Sequence, residues 1–248
     1  MTYRPQLPKA FSPQLPKAFS LVELPAVGST NDYAKGLARE GAAAFTIVWT
    51  HDQTAGKGRQ GNSWTSVPGN LYMTMLLRPG TNAAQTGQLS FVAAVALAET
   101  LQELLPAAVQ VNLKWPNDLL LNGKKSAGIL LEAEEGWVVV GMGVNLTGAP
   151  EGAASLSDFG VKVSSGHVLE RLAQRLKSLH DVWLQNGFAP VRSEWLRYAH
   201  NIGNTINVRL PKETFTAKFI GIDDAGALQV ELQDGSRRQI SSGEVFSA

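Results

Sequence analysis

Between residues 45 and 146 the apolar runs of the chain do not alternate strand with helix, which argues against a doubly wound parallel sheet. Residues 45–50 (FTIVWT) are rich in β-branched and aromatic side chains and read as a strand, and 71–77 (LYMTMLL) read as a second strand after a Gly-rich loop. An alanine-rich helix over 89–105 follows, ended by Pro106. Then come strands alone, at 111–115, 119–121, 129–132 and 137–146. Pro116 interrupts the first two, and Asn122-Gly123 supplies a hairpin turn. Ser29 or Thr30 caps a short helix over 29–40 that Gly41 ends, and helices over 168–183 and 190–200 complete this part. After Asn204 the pattern changes to short alternating strands, 205–210, 214–222, 227–232 and 237–241, separated by DDAG and QDG turns. The reading is α+β: a mixed-sheet domain over residues 21–203, then a small SH3-like β-barrel over 204–248.

The first twenty residues carry a tandem duplication, PQLPKAFS at 5–12 and again at 13–20. Eight residues are too few to form a solenoid repeat, so residues 1–20 read as an extended arm without chemistry. The 248-residue chain has no cysteine, and its four histidines contain no short-spaced pair. Disulfides, thiolate metal sites and cysteine nucleophiles are excluded, and no zinc motif is suggested. With 22 basic and 21 acidic residues the net charge is +1, and the barrel segment holds five basic against six acidic residues. Neither balance favours nucleic acid. No membrane span or leader pattern is evident, so a cytoplasmic protein is expected.

Chemistry concentrates at 53–64, QTAGKGRQGNSW. Gly56, Gly58 and Gly61 let backbone approach an anion, and Lys57 and Arg59 supply charge. From Gln53 to Ala98 the chain has no Asp or Glu, only Lys57, Arg59 and Arg78. Such a stretch suits a negatively charged ligand, and Trp64 could stack on its base. A solvated surface loop is the bland alternative, and the segment alone does not decide. Three phosphate motifs fail. Gly56–Gly61 spells GxGxxG but leads into Pro68-Gly69 and a strand, with no acid twenty residues on. A Walker loop would need a glycine where His51 stands. The kinase-like DFG at 158–160 follows APE at 149–151, the reverse of kinase order, and HRD does not occur.

QTAGKGRQGNSW resembles the signature of the biotin–protein ligases, which usually have arginine where this chain has Lys57. KWPND at 114–118, KSAGI at 125–129, GMGVNL at 141–146, STN at 29–31 and SGEV at 242–245 follow the same family in order, over roughly residues 21–248. The resemblance implies a monofunctional ligase with a mixed-sheet catalytic domain of the biotin/lipoate ligase type. It implies that biotin and ATP form biotinyl-5′-AMP, with Mg2+ expected, and that biotin passes to a lysine of a biotin carboxyl carrier protein. It assigns Arg59, Lys125 and Asp118 to catalysis. Ser29, Thr30, Asn31, Gln53, Lys57, Gly58, Arg59, Lys125, Gly128, Gly141 and Gly143 fall to biotin. Gly56, Lys57, Gly58, Arg59, Trp64, Asn117 and Asn145 fall to the nucleotide. No firm metal ligand is implied, and a homodimer is left open. Joining two anions calls for fixed cations, Arg59 as a planar fork and Lys125 as a point charge. The Gly-rich loop would close over the hydrolysable anhydride. A lipoate or octanoyl ligase is the nearest rival, but the RRxxGGG run of those proteins is missing. A biotin-responsive repressor would need a winged helix, for which the Pro-rich residues before Leu21 are too few. A binding module without catalysis is the third reading.

Overall fold

The computed structural model describes residues 13–80 and 83–247. Its larger sheet has seven strands in the order β1-β2-β3-β7-β6-β5-β4: β1 (Ser20–Leu24), β2 (Thr46–Thr50), β3 (Leu71–Leu77), β4 (Val111–Lys114), β5 (Asp118–Leu121), β6 (Lys124–Glu134) and β7 (Trp137–Val144). Only β1 and β2 run parallel; the remaining neighbours pair antiparallel, with β4 to β7 a meander whose last strand returns beside β3. The helices are α1 (Thr30–Arg39), α2 (Ala83–Thr86), α3 (Leu89–Gln102), α4 (Ser165–Asn186) and α5 (Phe188–Tyr198). The second sheet is antiparallel, with order β11-β10-β9-β8-β12 for β8 (Thr205–Arg209), β9 (Thr214–Ile222), β10 (Leu228–Glu231), β11 (Arg237–Ile240) and β12 (Glu244–Ser247).

Strand alternation sorts the large sheet into two faces. Ile47, Trp49, Met73, Met75, Val138, Val140 and Met142 point toward α3, α4 and α5 in the main core. Val48, Leu76 and Val139 point the other way, against Ala34 and Ala38 of α1. Helix α3 is buried nearly all round because it is sandwiched between the sheet and α4 and α5. Phe91 of α3 meets Phe188 and Trp195 of α5 edge to face, with ring centroids 5.5 and 5.4 Å apart. The second sheet is tied to the rest of the chain by Trp115 Nε1, just after β4, donating to the Gly226 carbonyl at 3.0 Å and by Arg192 Nε of α5 donating to the Ile222 carbonyl at 2.6 Å. A Cβ on Gly226 would stand 2.4 Å from the Phe91 ring, so that close approach needs glycine.

Several boundaries differ from the sequence reading. Helix α3 ends at Gln102, because Pro106, four residues on, has no N–H to donate to the Gln102 carbonyl. Strand β6 begins at Lys124 rather than 129, since pairing with both β5 and β7 overrides its charged start. β1 and β12 were not anticipated: each is short, and each is recruited by a neighbouring strand. The first repeat copy, at 5–12, lies outside the described residues. In the second copy Leu15 and Phe19 pack on the core, and Ser20 already belongs to β1. No described helix is long and apolar enough to cross a membrane.

His180 of α4 is buried at 5 % exposure between Phe45 and Trp183, with both ring nitrogens lacking a hydrogen-bond partner. Burial depresses its pKa below the ordinary 6.5, against a weaker upward pull from Asp181. The unfolded chain therefore takes up this proton first as pH falls below 6.5, and the fold loses stability from there down to the depressed value. We expect the melting temperature to drop by a few degrees (about 2–4 °C) between pH 7 and pH 5. His180→Leu should flatten that slope; an unchanged slope would remove the imidazole as its source.

Candidate functional site

The face of the sheet that carries α1 is left uncovered beyond the helix N-terminus, and a cavity of about 310 Å³ opens there. Its floor is made of glycines because β7 turns every second residue toward it. Gly141 lies opposite Thr74 of β3 and Leu130 of β6, and Gly143 lies opposite Tyr72 and Gly128. A Cβ on Gly141 would be 2.1 Å from Asn31 Oδ1. On Gly143 it would be 2.5 Å from the Trp64 indole, and on Gly128 2.8 Å from the same ring. The glycines thus make room for one amide and one indole, which stand at opposite ends of the floor.

The polar end is built on the first turn of α1. Ser29 caps the helix through the Asp32 N–H. The Thr30 N–H, which has no partner inside the helix, donates to Gln53 Oε1 at 2.9 Å. Asn31 donates through Nδ2 to the Leu130 carbonyl and to Glu132 Oε2, and the Thr74 hydroxyl donates to its Oδ1 at 2.6 Å. Ser29, Thr30 and Asn31 are all buried, so this end is a fixed array of donors and acceptors.

The charged end is closed by the Gly-rich loop, a tight ribbon rather than an open coil. Gly58 N–H donates to Asn62 and Trp64 N–H to Gly56, with a left-handed turn at Gln60 and Gly61. Gly56 is buried at the base, where a Cβ would be 2.6 Å from the Trp64 carbonyl. Arg59 Nη1 donates to Asn117 Oδ1 at 3.3 Å, and Asn117 Nδ2 in turn donates to Ile129. Burial pulls the Arg59 pKa down, opposed by the charges of Asp118 and Glu244; among the described residues no ion pair neutralises it. Lys125 Nζ lies 2.7 Å from Asp118 Oδ1 and 5.6 Å from the centre of the Trp64 ring. Lys57 turns away to Asp32 on α1, 2.6 Å distant.

Ser29, Thr30, Asn31, Gln53, Lys57, Gly58, Arg59, Trp64, Asn117, Asp118, Lys125, Gly128, Gly141 and Gly143 all line this one cavity. Asn145, expected beside the nucleotide, does not. It is buried, accepts from Asn70 and donates to the Ala154 carbonyl, so its side chain is spent on the turn after β7. Gly56 acts from beneath the loop instead of on the wall. The sequence reading missed the wall supplied by the second sheet, Arg209, Glu244 and Phe246, together with Lys114 of β4. The Phe246 ring is flanked by Lys114 Nζ at 4.9 Å and the Arg209 guanidinium at 4.7 Å. An aromatic in an unrecognised terminal strand gave little signal. Five cations and two carboxylates line the cavity, which suits a strongly anionic guest.

Residues 24–146 match the model of the biotin/lipoate A/B protein ligase family, and residues 202–247 match the biotin protein ligase C-terminal domain. The chain is 39% identical to the biotin–[acetyl-CoA-carboxylase] ligase of Paracoccus denitrificans, over 90% of this chain and 98% of that one. Its structure is similar to the Aquifex aeolicus biotin protein ligase in complex with biotin and ATP. There the TM-score is 0.80 at 27% identity, covering 92% of this chain and 97% of that one. The Leishmania major biotin protein ligase in complex with biotinyl-5-AMP superposes with a TM-score of 0.65 at 26% identity, covering 92% and 100%.

Proposed function

The chain belongs to the biotin/lipoate A/B protein ligase family, and on that premise we propose that it activates biotin with ATP and transfers it to a carrier-protein lysine. The observation that carries the reading is a single cavity with a polar array at one end, a glycine floor and a cationic end. A ureido ring needs donors and acceptors together, which Ser29, Thr30, Asn31 and Gln53 offer. A flat glycine floor suits the narrow tail of the ligand. The cationic end suits a carboxylate meeting a phosphate.

In the first step a biotin carboxylate oxygen bonds to the α-phosphorus of ATP and pyrophosphate leaves. Lys125 bridges carboxylate and phosphate as a point charge, and Arg59 offers its fork to phosphate oxygens. Magnesium would be held by the nucleotide phosphates together with the cavity carboxylates, Asp118 and Glu244, and would supply charge neutralisation at the α-phosphate. Among the described residues no group of three His, Cys, Asp or Glu side chains could hold it alone, whereas Mg2+ commonly rests on one or two carboxylates and substrate oxygens. In the second step the acceptor lysine nitrogen bonds to the biotinyl carbonyl, AMP leaves with the bridging oxygen, and the amine loses a proton. Asp118, a carboxylate on the cavity lining, takes that proton, and it also anchors Lys125. On this reading residues 21–203 hold both small substrates and residues 204–248 complete the wall. The acceptor is the biotin carrier of a carboxylase, as the name of the Paracoccus relative suggests.

Pyrophosphate exchange into ATP that depends on biotin tests the assignment. Exchange supported by lipoate or octanoate but not by biotin would overturn it in favour of the sister activity. Asp118→Asn should slow transfer to the carrier about 10²-fold through lost proton acceptance, and slow adenylation about tenfold through a loosened Lys125. Equal, near-wild-type rates in both steps would remove Asp118 from the mechanism.

A further inference from the structure

The proposed chemistry does not use Lys57, although it is one of the two cations of the Gly-rich loop. Its ammonium meets Asp32 Oδ2 at 2.6 Å, outside the floor of the cavity. Asp32 is also 2.8 Å from Lys35 through its other oxygen, and Lys35 is 2.7 Å from Glu132 Oε1. Glu132 Oε2 accepts from Asn31 Nδ2 at 2.8 Å. A chain of alternating charge therefore runs from the loop through the first turn of α1 to the amide at the polar end. We propose that Asp32 is a positioning residue of the active site: by gripping Lys57 it latches the Gly-rich loop shut over the cavity. Two independent features support it. Both cationic side chains of the loop tie it to other elements, Lys57 to Asp32 of α1 and Arg59 to Asn117 between β4 and β5, so each holds a different part of the cavity's edge. In addition, the chain of partners ends on Asn31, so opening the latch disturbs the polar end as well. Burial would raise the Asp32 carboxyl, but the hydrogen bonds and charges of Lys35 and Lys57 outweigh it and hold it below its usual range. The Asp32 side of the latch is thus charged at neutral pH and is lost as pH falls through that lowered value.

Both partners are about half exposed, with side-chain exposures of 48% and 43%, so the effect is moderate and depends on salt. The inference rests on the ligase reading and concerns how the loop is held. The test is steady-state biotin-dependent pyrophosphate exchange by the full chain, for wild type, Asp32→Asn, Lys57→Met, the double variant, Lys57→Arg and the charge-swapped pair Asp32→Lys with Lys57→Asp. Each single neutralising variant should raise the KM for biotin about fivefold while kcat changes by less than about twofold. The double variant should be no worse than either single. Lys57→Arg should stay near wild type, and the charge-swapped pair should recover part of the loss. Raising NaCl to about 0.5 M should weaken biotin binding by wild type but hardly by Lys57→Met, because only wild type has the exposed pair to screen. Tryptic cleavage after Arg59 in the free protein should also quicken in Asp32→Asn. Additive single effects, or losses in kcat alone, would overturn the latch. A wild type with no biotin-dependent exchange would instead sink the ligase reading, and the cleavage rates would still report on the latch.

Discussion

Lys125→Ala is expected to reduce biotin-dependent pyrophosphate exchange by about 10³-fold, with little change in thermal stability. The side chain is 42% exposed and its one ion pair is with Asp118, so the fold gains little from it. Its value lies in position. It stands over the Trp64 ring, beside Asp118 and above Gly128, where a tail carboxylate on the glycine floor would meet a phosphate held by the loop. Bringing two anions together in a partly desolvated pocket makes a fixed positive charge worth several kcal/mol at the transition state, hence the size of the effect. Removing the ammonium also leaves Asp118, only 16% exposed, facing the incoming anions without its counter-charge. Lys125→Arg should recover little, because a planar fork cannot occupy the place of a compact ammonium. Exchange within tenfold of wild type for Lys125→Ala would remove this residue from the first step.

Gly143→Ala is expected to weaken biotin binding at least about 50-fold, read by calorimetric titration, while leaving the sheet folded. One methyl group is enough because the new carbon would stand 2.5 to 2.8 Å from three atoms of the Trp64 indole. The ring cannot yield as a flexible chain end would. It is rigid, and its backbone is tied to Gly56 by a hydrogen bond, so relief requires the whole loop to lift. Gly128 faces the same ring from the neighbouring strand, which denies the indole a sideways retreat. Unchanged affinity in Gly143→Ala would show that the indole does not define the ligand's space. Gly36, in the middle of α1, is the control: an added methyl carbon there would meet nothing within 4 Å, and Gly36→Ala should be neutral or slightly stabilising.

The strands at 71–77 and 214–222 were legible to the residue, the first as a short apolar run between Pro-Gly turns and the second by its alternation and β-branched residues. β1 and β12 were not, because a five-residue or four-residue edge strand owes its conformation to the strand it joins rather than to its own pattern. At the site, motif order located the polar end, the loop and Lys125. It could not reveal that Lys57 turns to Asp32, since that pairing joins residues 25 positions apart through a loop whose path depends on packing. Asn145 lies off the cavity lining for the complementary reason. In GMGVNL the glycines face the cavity by strand parity, whereas the asparagine has passed the end of β7 and turns into the interior.

Most of the cavity is lined by α1, the Gly-rich loop and the larger sheet, and one wall by the second sheet, across a seam pinned by Trp115 and Gly226. Guest occupancy and seam closure are therefore coupled equilibria: whatever tightens one must tighten the other by the same free energy. A substitution at the seam, far from any group that touches substrate, would then behave like a change in affinity, and saturating guest would in turn weld the two halves into a single cooperative melting unit.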